Sequence, residues 1–385
     1  MIDRAIDSRL WVGRNQHDAP GETPVHPLRF RVNSSLDQRL WRLQRSPAQS
    51  WRSPAYFSSI TARAINASDA DVVHLHWVTD GLLSIRQIGL ITKPIVWSLV
   101  DMWPFSGTEH YGDTSPTARW VQGYTRANRP EDHSGVDLDR RAWERKRRDW
   151  RRPITFAAAS SWMEDCLHIS ALFHAAPVIR VPHVLGSAFS PDADHAAARA
   201  RLQLPPDVPL ILFISSGGIS DARKGWDLLE AALPSVRTEF PDLEVVVLGP
   251  ASPDHQSPTG VPIHWAGSVD SDARLADYYA ATDITVVPSR EDNMPLSAME
   301  AQTIGRPVAA FAIGGLPDIV SHMETGYLAQ AFDVADLATG IALCLNDRQR
   351  GGVWGGEAAE RAQRTWSPDV VIPQLLQTYA SVIKP

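Results

Sequence analysis

Short apolar, β-branched runs alternate with stretches of helical spacing along most of the chain, the pattern of parallel α/β units. In the first half the strand candidates are Ser8–Gly13, Asp71–Trp77, Pro94–Val100, Ile154–Ala159 and Val178–Pro182. The second half offers Leu210–Ser215, Leu243–Gly249, Ile263–Ala266, Ile284–Pro288 and Pro307–Ala312. Between the two sets runs Gly186–Asp207, rich in Ala, Pro and Asp and poor in strand formers. The pattern predicts two Rossmann-like doubly wound domains over residues 1–190 and 191–367, then a helix over 368–385 that packs back on the first domain. Sheets of this kind bind ligands outside the C-terminal ends of their strands, so the chemistry is expected in the loops that follow them, around a cleft.

Composition narrows the classes. A chain of 385 residues suits two domains, and 44% hydrophobic against 21% charged residues excludes wholesale disorder. Thirty-seven basic against 44 acidic residues give a net charge of −7, which disfavours a general nucleic-acid binder. The two cysteines, Cys166 and Cys344, exclude a disulfide scaffold and a Cys-based metal site, and suit a reducing compartment. No run has the length of a membrane span, and Met1-Ile2-Asp3-Arg4 opens no signal peptide, so the expected location is cytoplasmic.

Two loops of the second half carry candidate chemistry. After Leu210–Ser215 come Gly217-Gly218-Ile219-Ser220-Asp221-Ala222-Arg223-Lys224-Gly225 and a helical run from Trp226. A glycine-bearing loop between strand and helix lets backbone N–H groups approach an anion, and Arg223 and Lys224 would add two cations. Alone, the same residues read more readily as a solvated loop with surface charges. The second cluster follows Ile284–Pro288 and runs Ser289-Arg290-Glu291-Asp292-Asn293-Met294-Pro295-Leu296-Ser297-Ala298-Met299-Glu300-Ala301, then Gly305-Arg306-Pro307 and Gly314-Gly315. Asp292 in the loop and Glu300 in the next helix point to the strand-end side. Carboxylates there accept hydrogen bonds from sugar hydroxyls, while N–H groups of Asn293–Leu296 face phosphate.

With Val72-Val73-His74-Leu75-His76-Trp77, Asp101-Met102-Trp103-Pro104-Phe105-Ser106-Gly107 and His110-Tyr111, these segments resemble glycosyltransferase family 4, retaining transferases of the GT-B fold. The branch most similar builds bacterial O-antigen, capsule and exopolysaccharide repeats. The resemblance implies a hexosyltransferase moving a sugar from a nucleotide diphosphate donor to a growing polysaccharide or lipid-linked glycan, without a cofactor or obligatory metal. It further implies that Lys224 binds the donor diphosphate, with Arg223 and Gly217 beside it. The loop of Asn293, Met294, Pro295 and Leu296 would offer N–H groups to the same diphosphate. Glu300 would hold the ribose, Asp292 or its neighbour Glu291 would contact the donor sugar, and Val269 would lie near the base.

Three positions depart from the family pattern. The first of its two glutamates is here Asp292, with Glu291 one step earlier. A second cation a few residues before the lysine is replaced by Gly218. The histidine that faces the donor sugar is Val100, so its role falls to Asp101, Glu109 or His110, or is absent. These departures keep open a second reading, a catalytically impaired relative that binds sugar nucleotide or glycan as an assembly partner.

The first domain is expected to hold the acceptor. His74 and His76 alternate on a strand and face one side, as acceptor contacts or as sheet-end histidines; a metal would need a third ligand that the pattern lacks. Trp103, Glu109 and His110 lie past a strand end, suited to a sugar, with aromatic core packing as the competing reading of Trp103. From Arg140 to Arg152, a helix would place Trp143, Lys146, Arg147 and Trp150 on one side. That face suits anionic lipid headgroups at the inner face of the membrane or a diphosphate-linked lipid acceptor, against a solvated face paired with Glu144 and Asp149. Met1–Asp7 is short and polar, and no strand, glycine turn and helix precede Ser8–Gly13 as in the family. The sequence is therefore expected to be N-terminally shortened, its first domain lacking the first strand and helix.

Overall fold

The computed structural model describes residues 7–13, 22–47, 51–250, 255, 257–349 and 351–383, so the opening residues before Asp7 lie outside it. Two compact units make up the chain, one from residues 1–181 with 372–385, the other from 182–371. The division falls at Val181, ahead of the Ala- and Pro-rich stretch. That stretch is no bare linker: the Asp194 side chain accepts from Ala197 N and starts a helix over His195–Leu202.

The first unit contains β1 (Leu10–Val12), β2 (Glu22–Pro24), α1 (Pro27–Trp41), β3 (Gln44–Arg45), α2 (Ala62–Asn66), β4 (Val73–Leu75), α3 (Ile85–Gly89), β5 (Ile95–Leu99), α4 (Arg119–Gln122), β6 (Ser134–Gly135), α5 (Leu138–Asp149), β7 (Ile154–Ala158), α6 (Ser161–Ile169) and β8 (Val178–Arg180). Its main sheet is parallel, in the order β4-β5-β7-β8. β5 and β7 are buried almost throughout, which is why they read as continuous apolar runs. The Ser8–Gly13 candidate does form a strand, but β1 pairs with β2 in a separate two-stranded ribbon and not with the main sheet. Among the described residues nothing pairs with the outer edge of β4.

The basic segment is placed otherwise than its pattern suggested. Trp143, Lys146 and Trp150 do share a side, but it is the inner side. Trp150 packs on Trp97 with ring centroids 5.2 Å apart. The Lys146 ammonium donates to the carbonyls of Trp103, Ser106 and Gly107, and burial holds its pKa well below the usual lysine value. Two indoles bury more apolar surface than one ammonium costs once its three protons find carbonyl acceptors. Arg141, Arg147, Arg148, Arg151 and Arg152 remain exposed.

The second unit runs α7 (His195–Leu202), β9 (Leu210–Ile214), α8 (Trp226–Glu239), β10 (Glu244–Leu248), β11 (Ile263–Gly267), α9 (Asp272–Ala281), β12 (Ile284–Val287), α10 (Leu296–Thr303), β13 (Val308–Phe311), α11 (Leu316–Ile319), β14 (Gly326–Ala329), α12 (Val334–Gln349) and α13 (Val353–Trp366). All six strands are parallel, in the order β11-β10-β9-β12-β13-β14. Counted within the unit this is 3-2-1-4-5-6, the doubly wound order, with its reversal between β9 and β12. A last helix, α14 (Pro368–Ile383), passes from the second unit into the first.

Candidate active site

The reversal of strand order decides where the site can be. Connections from β9 and β12 leave in opposite directions, so their loops open a crevice at the C-terminal ends of those two strands. The β9 loop carries two short 3-10 turns, Gly218–Ser220 and Ala222–Lys224, before α8. Gly225 ends the second turn at φ 71°, and a Cβ there would lie 2.0 Å from the Pro288 carbonyl oxygen. Only glycine lets the start of α8 close on the β12 loop in this way. Arg290 N donates to Arg223 O at 2.8 Å, and its guanidinium pairs with Asp227 at 2.6 Å, fastening the two loops together.

Between them lies an ion pair. Lys224 Nζ donates to Asp292 Oδ2 at 2.7 Å, and Ser289 Oγ donates to the same oxygen at 3.2 Å. Arg223 Nη1 donates to the Glu291 carbonyl oxygen at 3.0 Å and stands 3.7 Å from Asp292 Oδ2. Both cations of the β9 loop thus converge on the β12 loop. Glu291 is half-buried, and burial raises its carboxyl pKa against the pull of Arg223. Gly217 opens the β9 loop, where a Cβ would come 2.8 Å from Asp221 Cβ.

Beyond Asp292 the chain enters α10. Asn293, Met294 and Pro295 are buried, while Leu296 is 47% exposed. The backbone N–H groups of Met294, Leu296 and Ser297 meet no acceptor among the described residues. Pro295 has no N–H to give, so it drops out of the expected donor set, and Ser297, which sequence reasoning missed, joins it. Free N–H groups at a helix start, beside an ammonium, can cradle a phosphate. Further along α10, Glu300 Oε2 accepts from Tyr279 OH at 2.6 Å. Burial raises the Glu300 pKa, and that hydroxyl opposes the shift. No motif pointed to Tyr279, whose ring is buried in α9. Val269 is half-buried in the loop past β11, whose last residue, Gly267, faces open space.

The first-unit residues are placed differently from expectation. Asp101 Oδ1 accepts from Trp103 N at 2.9 Å, and its Oδ2 pairs with His110 Nδ1 at 2.6 Å. His110 Nε2 in turn bonds Ser53 Oγ at 2.8 Å. All three are buried, so Asp101 and His110 anchor the loop after β5 instead of meeting a substrate. Trp103, 1% exposed, packs against Trp97 and Lys146 and donates its indole N–H to Ser53 O, so it cannot stack on a sugar. Glu109 is enclosed with Tyr124 OH on Oε1; burial, reinforced by Asp139, raises its pKa to about 7. It too is an internal group.

His74 has both ring nitrogens engaged, Nδ1 with Tyr379 OH of α14 at 2.6 Å and Nε2 with Ser98 Oγ at 2.8 Å. Burial lowers its pKa to about 3, so it is neutral and has no nitrogen left for an acceptor. His76 lies beside it with ring centroids 4.2 Å apart and is exposed, as is Trp77 at the end of β4. Of the expected acceptor residues only His76 stays available. Among the described residues no group of three or more His, Cys, Asp or Glu side chains is placed to hold a metal.

A parallel sheet with a cation and free helix-start amides at its reversal belongs to the α/β proteins that hold phosphate-bearing ligands. Residues 208–347 match the family described as Glycosyl transferases group 1. The D-inositol 3-phosphate glycosyltransferase of Thermobispora bispora is 32% identical over 407 residues, 100% of this chain and 87% of that protein. D-inositol 3-phosphate glycosyltransferase 2 of Catenulispora acidiphila is 35% identical over 45% of this chain, and that match spans only 44% of the relative's length. Among solved structures, sucrose-phosphate synthase of Thermosynechococcus elongatus has a TM-score of 0.61 at 22% identity, covering 83% of this chain and 75% of that one. HepE of Anabaena, in complex with UDP and glucose, has a TM-score of 0.58 at 16% identity, covering 83% and 80%. These likenesses establish the fold as that of the GT-B glycosyltransferases. The chain belongs to the group 1 glycosyltransferase family.

Proposed function

We propose that the chain is a retaining glycosyltransferase that takes a hexosyl group from a nucleoside diphosphate sugar and passes it to a growing polysaccharide or lipid-linked glycan. The observation that carries this reading is the Lys224–Asp292 pair beside the free N–H groups of Met294, Leu296 and Ser297 at the strand-order reversal. As the sugar–phosphate bond breaks, positive charge grows on the anomeric carbon and negative charge on the leaving diphosphate. An ammonium and oriented N–H groups stabilise that charge more in the transition state than in the ground state. The donor phosphate competes with Asp292 for Lys224, and the released carboxylate then lies next to the donor sugar. For retention, the acceptor oxygen bonds the anomeric carbon on the face the phosphate leaves, and the departing phosphate oxygen takes the acceptor's proton. Glu300, held by Tyr279, suits the ribose hydroxyls. On this reading Lys224 and the N–H groups meet the charge on the leaving phosphate that a metal ion would otherwise meet.

HepE, with its UDP, supports a uridine nucleotide as the first donor to try. The relatives' name supplies a competing acceptor, D-inositol 3-phosphate, against the glycan acceptor of an O-antigen or capsule branch. We place the protein in the cytoplasm, in peripheral contact with the inner face of the membrane. No helix among the described residues is long and apolar enough to cross a membrane. One observation favours the impaired relative as second reading: Val100 replaces the family histidine, and Asp101, Glu109 and His110 are all enclosed. Incubation with UDP- and GDP-sugars and either acceptor, followed by nucleoside diphosphate release and product NMR, tests both. Retained anomeric configuration with release supports the transferase. Nucleotide binding without transfer or donor hydrolysis supports the impaired relative, and inverted configuration refutes retention.

A further inference from the structure

We infer that the outward face of α1 docks the first unit on an anionic phospholipid surface. The inference deepens the peripheral placement proposed above and moves the contact away from α5. An ordinary surface helix turns its apolar stripe inward. α1 keeps Phe30 buried and Leu36, Leu40 and Trp41 half-buried, but its other buried residues are the polar Ser34 and Asp37, and Leu28 is 67% and Val32 56% exposed, with Leu43 just past the helix at 52%. The inner side is held by polar contacts. Ser34 Oγ and Gln38 Nε2 donate to Asp80 Oδ1 at 2.8 and 3.0 Å, and Asp37 Oδ1 accepts from Tyr56 N at 2.9 Å. Helical spacing places Leu28, Val32, Ser35 and Arg39 along one outward line, with Arg31 and Arg42 on one flank and Arg29 on the other.

The charge on this face has one sign. From Pro27 to Arg45 the exposed charged residues are Arg29, Arg31, Arg39, Arg42 and Arg45; the one acid, Asp37, is 2% exposed and faces inward. In a chain of net charge −7 this is a local reversal. On α5, by contrast, Arg140 pairs with Glu144 at 3.1 Å and Arg148 with Asp149 at 2.7 Å, and the indoles point into the core. Outward aliphatic side chains flanked by arginines fit an interface of acyl chains and phosphate headgroups. A second copy would set the same arginines against each other, and a nucleic acid has no use for Leu28 and Val32.

Co-sedimentation of the full chain with phosphatidylcholine vesicles, and with vesicles containing about a third phosphatidylglycerol, tests the contact. Binding should favour the anionic vesicles and weaken in high salt. The variant Arg31→Gln/Arg39→Gln/Arg42→Gln should lose roughly a hundredfold in partitioning, at about fivefold per arginine. Leu28→Ser/Val32→Ser should also bind less, which keeps the test decisive if the arginine variant folds poorly. Arg147→Gln/Arg148→Gln/Arg151→Gln should bind as the wild type does. Equal binding by the α1 variants and the wild type, loss in the α5 variant instead, or no preference for anionic lipid overturns the inference. So does a dimer in sedimentation velocity that dissolves in Leu28→Ser/Val32→Ser without any vesicle binding. Nucleoside diphosphate release from soluble donor, measured in parallel, separates the two proposals: vesicle binding without release leaves this inference standing and removes the transferase reading.

Discussion

Replacing Lys224 by alanine probes the donor site most directly. The Lys224 and Asp292 side chains are 17% and 9% exposed at 2.7 Å separation, shielded from water but not sealed from it. At an effective dielectric near 20 their gross attraction is about 6 kcal/mol, most of which offsets the desolvation of two charges. Removing the ammonium does not strand the carboxylate, because Ser289 Oγ stays 3.2 Å and Arg223 Nη1 3.7 Å away. The stability loss is therefore expected near 1–2 kcal/mol, below the roughly 3–5 kcal/mol of an orphaned buried charge. Turnover should fall further, by about two to three orders of magnitude, the scale of removing one preorganised charge partner from a transition state. Nucleoside diphosphate release at saturating donor, run beside thermal unfolding, measures both. The double variant Lys224→Ala/Asp292→Asn should regain stability without regaining turnover, since no cation has returned to the phosphate. A kcat within about threefold of wild type would remove Lys224 from the mechanism, and recovered turnover in the double variant would make the pair structural.

Glu300→Gln should weaken nucleoside diphosphate binding by about tenfold, because a neutral amide is a poorer acceptor for ribose hydroxyls; unchanged affinity in isothermal titration contradicts the role. Of the two neighbouring acids, Asp292→Asn should cost more turnover than Glu291→Gln, since Asp292 meets Lys224 and Ser289; the opposite ranking in kcat would assign the donor sugar to Glu291. Glu109 gives a pH test of the first unit. Its carboxyl keeps its proton in the folded state up to about 7, whereas the unfolded chain releases it from about 4.5. The unfolded state thus binds fewer protons across that window, and this group's stabilisation is lost as pH rises through it. Glu109→Gln should remove that loss and raise stability relative to wild type more at pH 8 than at pH 5. A pH-independent difference in unfolding free energy would show that Glu109 titrates normally.

How far the fold could be read from the chain depended on where each strand lies. β9, β10 and β12 are almost wholly buried, so their apolar runs announced them. β14 escaped notice because it is a four-residue edge strand that opens on Gly326, where a Cβ would fall 2.2 Å from the Val308 carbonyl oxygen. Close approach requires a residue that strand propensity counts against. The same contrast separates the two candidate sites. In the second unit the two candidate loops are short segments directly after strands, and backbone geometry alone brings Lys224 to Asp292, so motif and contact coincide. In the first unit the polar residues after β5 are consumed by one another: Asp101, His110 and Ser53 form a closed chain, and Lys146 spends its protons on three carbonyls. Partners such as Ser53 and Tyr379 come from remote parts of the sequence, and no local spacing reveals them.

That difference bears on what the first unit can contribute. A buried aspartate–histidine–serine chain, with Trp103 N donating to the aspartate, fixes the loop after β5 that in the family carries the sugar-facing histidine. With Val100 at that position and its neighbours locked, exposed side chains past a strand end include His76 and Trp77, which follow β4 rather than β5. In the reaction proposed above, transition-state charge would then be met almost entirely by the second unit, by Lys224 and the N–H groups at the start of α10. An enzyme organised this way would tolerate changes at Asp101 only as far as folding allows, and any catalytic loss there should track unfolding. Losses at Lys224 should not, and comparing the two is the sharpest available separation between a site and its support.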